Sequence, residues 1–238
     1  MKKTLLSWSS GKDSAWALHA LQQDPEINLL GLFSVVNKAY DRVSMHATRV
    51  DLLLDQADAI GLPLQIINIP HPCSNEECDA IMRSFVGNAA ENGIECMAFG
   101  DLFLRDIREY RENQLRETGI KPIFPNWNIP TDLLAEQMLS SGVEAYISCV
   151  DPRKIPGALA GRRWSRTLLG ELPENVDPCG ENGEFHTVVV GGPMFQARIP
   201  IHIGETVERE GFVFTDIIPV STMAVESKGS ESGHEGLT

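Results

Sequence analysis

Ser9-Ser10-Gly11-Lys12-Asp13-Ser14 gathers hydroxyls, a residue without a side chain, a cation and a carboxylate into one short stretch. Serine hydroxyls donate hydrogen bonds, glycine lets backbone N–H groups come close to a ligand, and lysine adds positive charge. Such a set binds anions. The apolar run Thr4-Leu5-Leu6 ahead of it reads as a buried strand. Ala15–Leu21 behind it reads as a helix, with Ala17, Leu18 and Leu21 on one face. A helix that starts at such a loop turns its free N–H groups and the positive end of its dipole toward the ligand. The stretch therefore predicts a phosphate or pyrophosphate cradle. An ordinary strand–helix connection capped by Ser or Asp uses the same residue types. A Walker A loop is excluded: Leu6 stands where that loop needs Gly, and Asp13 where it needs Ser or Thr. As a loop residue, Lys12 is expected to carry no core packing.

A second stretch, Asp177-Pro178-Cys179-Gly180-Glu181-Asn182-Gly183-Glu184-Phe185-His186-Thr187, sets two carboxylates on a glycine-rich turn. Glu181 and Glu184 could bind an amine or ammonium, or act as a base. A strand-entry turn with solvated acids is the plainer reading.

Both stretches resemble known motifs. Ser9–Ser14 is similar to the S-G-G-K-D-S signature of the PP-loop ATP pyrophosphatases, with Ser10 in place of a Gly. A Ser there needs φ below zero or tolerated strain. Asp177–Thr187 resembles the C-G-E-G-G-E-Y-E-T segment of the diphthine–ammonia ligase family, a PP-loop branch. Asn182 replaces a Gly there, Phe185 a Tyr and His186 a Glu. The two motifs stand in the family's order, and the resemblance spans roughly residues 1–220. It implies an ATP-dependent amidation. A carboxylate takes AMP from ATP, pyrophosphate leaves, and ammonia attacks the acyl-adenylate. In eukaryotic and archaeal members the acceptor is diphthine on elongation factor two. Gly100–Glu112 is closer to the bacterial branch, described as adenosine-nucleotide-hydrolase-like. The ATP chemistry thus carries over further than the acceptor, which is a small-molecule or protein carboxylate.

Carried over by resemblance, Ser9, Ser10, Gly11, Lys12, Asp13, Ser14, Ser34 and His46 surround the ATP. Lys12 offsets charge on the leaving pyrophosphate. Asp13 is the expected Mg²⁺ ligand, with Asp101 as the other candidate. Lys12, Asp101 and Glu184 are the expected catalytic residues. Arg105, Gly180, Glu181, Gly183 and Glu184 are expected to bind the acceptor. Helix-surface ion pairs would also account for Arg105 and its neighbour Arg108.

The elements that position these residues form an α/β chain. Apolar strands at Ile27–Val35, Leu64–Ile69, Cys96–Gly100 and Ile123–Phe124 alternate with helical patterns at Thr48–Ile60, Ser74–Asn92 and Phe103–Glu117. Gly61 and Gly93 are helix stops, and Ser74 with Glu77 forms a capping box. This rhythm predicts a Rossmann-like, doubly wound parallel sheet of five strands, with ligands beyond the strands' carboxyl ends. That domain is assigned to residues 1–125, and Pro125–Pro130 reads as a linker. Residues 126–220 are expected to form a smaller α+β domain that binds the acceptor, with strands at Val143–Val150, Phe185–Val190, Phe195–Ile201 and Glu205–Phe214. The basic run from Arg153 to Arg166 is either a solvated loop or a partner contact. The Gly/Ser/Glu-rich residues 221–238 read as a disordered tail.

The chain has 238 residues and a net charge of −13, which argues against nucleic-acid or membrane-surface partners. No signal peptide or membrane span is evident, so a cytoplasmic location is expected. Five scattered cysteines fit reduced thiols. A homodimer is open. Two other readings share the fold: an RNA-modifying PP-loop enzyme that adenylates a base, and a nucleotide-binding regulator without turnover.

Overall fold

The computed structural model describes residues 1–37, 42–43 and 48–220. His46 and the expected disordered tail lie outside the described residues. The first half of the chain reads β1 (Lys2–Ser7), α1 (Lys12–Gln23), β2 (Ile27–Asn37), β3 (Arg42–Val43), α2 (Val50–Ile60), β4 (Leu64–Ile69), α3 (Asn75–Glu91), β5 (Cys96–Ala98), α4 (Arg105–Leu115) and β6 (Lys121–Ile123). The second half reads α5 (Thr131–Ser140), β7 (Glu144–Val150), β8 (Arg163–Trp164), α6 (Arg166–Leu169), β9 (Phe185–Gly191), β10 (Ile201–Arg209) and β11 (Phe212–Pro219).

The expected five parallel strands are present, in the order β4-β2-β1-β5-β6. Their side chains alternate between two cores, as strand geometry requires. Leu6, Leu32 and Ala98 pack with Leu18, Leu53 and Ala57 of α1 and α2. Phe33, Ile67, Met97 and Phe99 pack with Phe85 and Val86 of α3 and Leu115 of α4. Helices thus cover both faces. The two-residue β3 joins β2 as an antiparallel addition. The order reverses at β1, so the loop after β1 opens at the topological switch point, where doubly wound sheets take their ligands.

The terminal signals act as their chemistry dictates. Ser74 and Glu77 form the reciprocal capping box of α3, and Gly61, at φ 78°, ends α2. α1 has no side-chain cap at Gly11. Its first amides are left for the loop, the second sheet or a ligand.

The second sheet is antiparallel and built on β7, with β9 on one side and β8 and β11 on the other. Two of the expected strands differ from expectation. Phe195–Ile201 is not a strand: the Gln196 N–H donates to Ala59 O of α2 at 2.7 Å instead of joining a ladder. Glu205–Phe214 is not one strand but parts of two, β10 and β11. Glu210 and Gly211, at φ 52° and 79°, turn the chain between them. Two successive positive φ values make the tight reversal that strand twist favours, and Gly fits the second place.

α2 lies between the sheets. Its Leu53 and Ala57 face the first core, while Leu52 packs with Val188, Val190, Ile199 and Ile217. Asp216 of β11 takes both Arg42 (3.0 Å) and Arg49 (2.6 Å). The cations of the basic run are paired at home: Arg153 with Asp151, Arg162 with Glu171, Arg166 with Glu136. Cys73 and Cys78, expected as reduced thiols, are bonded to each other across the start of α3. Among the described residues no helix is long and apolar enough to cross a membrane.

Candidate active site

The loop from Ser7 to Lys12 is braced from two sides. Ser10, fully buried, holds φ at 72°, so the strain that a glycine would avoid is present. Its hydroxyl has no partner among the described residues. Its carbonyl accepts from Val189 N of β9 at 2.9 Å and from Gln56 Nε2 of α2 at 3.2 Å. Gln56 also donates to Val189 O at 2.7 Å and accepts from Trp8 Nε1 at 2.9 Å. Ser34 is buried within β2 and donates to Trp8 O, so it props the loop from behind. Asn126, in the stretch expected to be a linker, donates to Asp13 O at 2.9 Å.

Lys12 departs from expectation. It is 1% exposed. Its ammonium donates to both Asp13 oxygens, at 2.9 and 3.0 Å, and to the Cys179 carbonyl. The rings of Trp164 and Phe185 lie 5.5 and 5.6 Å from it. Burial works against the charge, but Asp13 and the other anionic groups outweigh it and raise the Lys12 pKa. Lys12 thus ties the loop to the second sheet, and its N–H donates to Thr187 Oγ1 at 3.2 Å.

In front of this loop opens a cleft of about 250 Å³. The hydroxyls of Ser7, Ser9 and Ser14 line one side, with Lys12 and Asp13. Ser9 and Ser14 hold each other at 3.1 Å. Asp101, Leu104 and Arg111 line the side formed by β5 and α4, and Gly180, Glu181 and His186 close the cleft from the second sheet. Gly100, also lining, lets β5 approach α1: a Cβ there would lie 2.8 Å from Ser14 N.

Glu181 joins the two halves. Its Oε1 accepts from Leu102 N at 2.8 Å, and its own N–H donates to Asp177 Oδ2 at 2.7 Å. Burial, with Asp13 nearby, pushes its carboxyl up to about 7. Burial also raises the Asp101 pKa; Arg111 offsets part of this and Asp13 adds to it.

The remaining expected residues are placed as follows. Gly180 and Gly183 turn the second loop at φ 73° and 78°. Glu184 does not line the cleft. It is buried in its own loop, where Oε1 accepts from Asp177 N at 3.3 Å and Asn182 Nδ2 at 3.1 Å. Arg105 is exposed at the start of α4, outside the cleft lining, and Arg108 lies over Phe124 and Trp127. The arginine in the cleft is Arg111, which sequence reasoning missed. Its spacing of seven from Leu104, two helical turns on one face, was the available signal.

Mg²⁺ takes one or two carboxylates together with phosphate oxygens and water. Asp101 and Asp13, which line the same cleft, are the candidates for it. Asp101 Oδ2 is buried with no hydrogen-bond partner among the described residues, and the Asp13 oxygens are held by the Lys12 ammonium.

Residues 1–122 match the diphthamide synthase N-terminal domain, and residues 130–221 match the diphthamide synthase C-terminal domain. The chain belongs to this family. Among known relatives, the diphthine–ammonia ligase of Rattus norvegicus is 24% identical over 246 residues, covering 93% of this chain and 92% of the relative. The Homo sapiens diphthine–ammonia ligase is 23% identical over 209 residues, 81% and 76% of the two chains. That of Danio rerio is 27% identical over 184 residues, 71% of each. Set against the diphthamide synthase family motif, the substitutions in this chain fit their places. Asn182 does not need a positive φ, because Gly180 and Gly183 carry those on either side. Phe185 packs beneath Lys12, and His186 reaches the cleft wall.

Proposed function

We propose that this chain is an ATP-dependent ligase that joins ammonia to a carboxylate, forming an amide with release of AMP and pyrophosphate. The observation that carries this reading is the cleft itself. An anion-binding loop at the switch point of a doubly wound sheet faces a carboxyl that titrates near neutrality on the opposite wall. The triphosphate lies along the start of α1, where free amides and the hydroxyls of Ser9 and Ser14 meet it. An acceptor carboxylate oxygen attacks the α-phosphorus, the bond to the bridging oxygen breaks, and pyrophosphate leaves with the electron pair. Asp13 and Asp101 would hold Mg²⁺, which supplies charge neutralisation on the phosphates. Ammonia then attacks the acyl carbon and AMP departs. Glu181 takes the proton that ammonium, or the attacking nitrogen, must lose. Glu184 and Lys12 serve this arrangement by fixing the second loop and the first to one another.

Thiol chemistry on RNA is a poorer fit. The Cys179 thiol lies in the cleft lining, but it donates to Thr131 O at 3.5 Å and burial drives its pKa far upward. The protein should be incubated with ATP, Mg²⁺, ammonium and a carboxylate. Diphthine, the acceptor in the relatives' name, is assayed first, on elongation factor two. AMP and pyrophosphate in equal amounts are expected. ADP and phosphate, or no turnover with any carboxylate, would overturn the reading. With ATP as co-substrate, the reaction belongs in the cytoplasm.

A further inference from the structure

We propose that Arg111 is the specificity-determining residue that receives the acceptor's carboxylate. The inference rests on the ligase reading above, in which the acceptor is a carboxylate. Arg111 lines the cleft from the inner face of α4. Its guanidinium lies 5.1 Å from the centre of the Phe99 ring and 5.7 Å from that of Tyr110. The two rings hold the fork in place. Its Nε is buried and has no hydrogen-bond partner among the described residues. Asp101 Oδ2 is 3.9 Å away, beyond hydrogen-bond reach, and is likewise without a hydrogen-bond partner among them.

A buried charged donor left unmade is costly. Such a group in a cleft wall is arranged for something that enters the cleft. A planar fork matches a carboxylate through two parallel N–H···O bonds. The donors of the cleft divide between its walls. The serines and the start of α1 stand on the loop side, where the polyphosphate is proposed, and Arg111 stands on the side formed by β5 and α4. Glu181, the proposed base, also lines the cleft and serves the amine rather than a phosphate. The guanidinium is therefore left for the acceptor.

The test is calorimetry on the full chain loaded with α,β-methylene-ATP, which cannot release pyrophosphate. Acetate, glutamate and glycine betaine are the probes. At least one should bind the wild type saturably. Arg111→Gln should weaken that probe by about tenfold or more and leave the affinity for the ATP analogue within about twofold. Arg111→Lys keeps a cation over Phe99 but loses the fork, so it should weaken the probe as well. It also remains informative if the Gln variant fails to fold. Unchanged probe binding in Arg111→Lys and Arg111→Gln would overturn the proposal. So would an equal loss of ATP-analogue affinity, which would assign the guanidinium to phosphate, and so would the absence of saturable probe binding by the wild type. None of these readouts needs turnover. Failure to form AMP and pyrophosphate would therefore sink the ligase reading without being mistaken for failure of this one.

Discussion

The Lys12 ammonium lies 2.9 Å from Asp13 Oδ2, and the pair is closed over by Trp164, Phe185 and the Cys179 carbonyl. Adjacent residues at the start of α1 thus form an ion pair at the contact with the second half of the chain. Removing one member leaves the other charged and poorly solvated, at a cost of about 3 kcal/mol. Lys12→Ala should therefore unfold at markedly lower urea, as well as bind nucleotide less well. Lys12→Met with Asp13→Asn should recover part of the loss, a coupling read from a double-mutant cycle. If Lys12→Ala unfolds at the wild-type midpoint, the ammonium does not tie α1 to the second half of the chain.

Ser10 offers a gain. It holds φ at 72° with a buried, unpartnered hydroxyl. Glycine relieves both, against the entropy of a freer unfolded chain. Ser10→Gly should stabilise the protein by about 1 kcal/mol, seen as a higher Tm. Ser10→Ala removes the unpartnered hydroxyl but keeps the backbone strain, so it should recover only part of that gain. A fall in Tm for the Gly variant would mean that the hydroxyl has a role that the geometry hides.

Much of this arrangement was legible in the residues. Strand, loop and helix around Ser9–Ser14 followed from apolar runs and small residues. Ser74 with Glu77 marked a helix start, and Gly61 a helix end. What escaped depends on contacts between distant segments. Gln56 sits on the core face of α2 between Leu53 and Ala57, a polar residue where packing wants an apolar one. That anomaly signalled a buried hydrogen-bond role, but not that the partners would be Trp8, Ser10 and Val189. Asn126 stood in a Pro-bounded stretch that read as linker, yet it holds the Asp13 carbonyl. The burial of Lys12 depends on a loop more than 160 residues away. The hairpin at Glu210-Gly211 was missed because Glu-Gly is not one of the Asn-Gly or Asp-Gly pairs that mark a two-residue reversal.

Glu181 ties stability and rate to pH in opposite directions. Its carboxyl is raised from 4.5 to about 7 in the folded protein. The native state therefore holds this proton over a window in which the unfolded chain has lost it. The stability contributed is fully present below about pH 4.5 and is lost as pH rises through about 7, a difference of roughly 3 kcal/mol. A proton acceptor must be ionised, so the rate should instead rise with pH and level off above about 7. Glu181→Gln should remove both dependences and lower turnover by about a hundredfold or more. A rate profile in the wild type that is flat from pH 5.5 to 8.5 would exclude Glu181 as the base.

Gly100 sets how closely β5 approaches the start of α1. A Cβ there would meet Ser14 N at 2.8 Å, Asp13 C at 2.9 Å and Asp13 O at 3.0 Å. All three are backbone atoms, so no side chain can swing aside. Gly100→Ala must push the helix start and its amides away from their places, at a cost of about 1–3 kcal/mol. Because those amides face the proposed phosphates, affinity for α,β-methylene-ATP should fall about tenfold or more. Gly87→Ala is the control. It lies inside α3 with nothing within 4 Å of a new Cβ. That change should leave nucleotide affinity alone and stabilise the protein by up to about 1 kcal/mol. Calorimetry on the two variants separates a positional effect from a general one. Equal affinities would show that the cleft tolerates displacement of α1, and the amide cradle would lose its geometric basis.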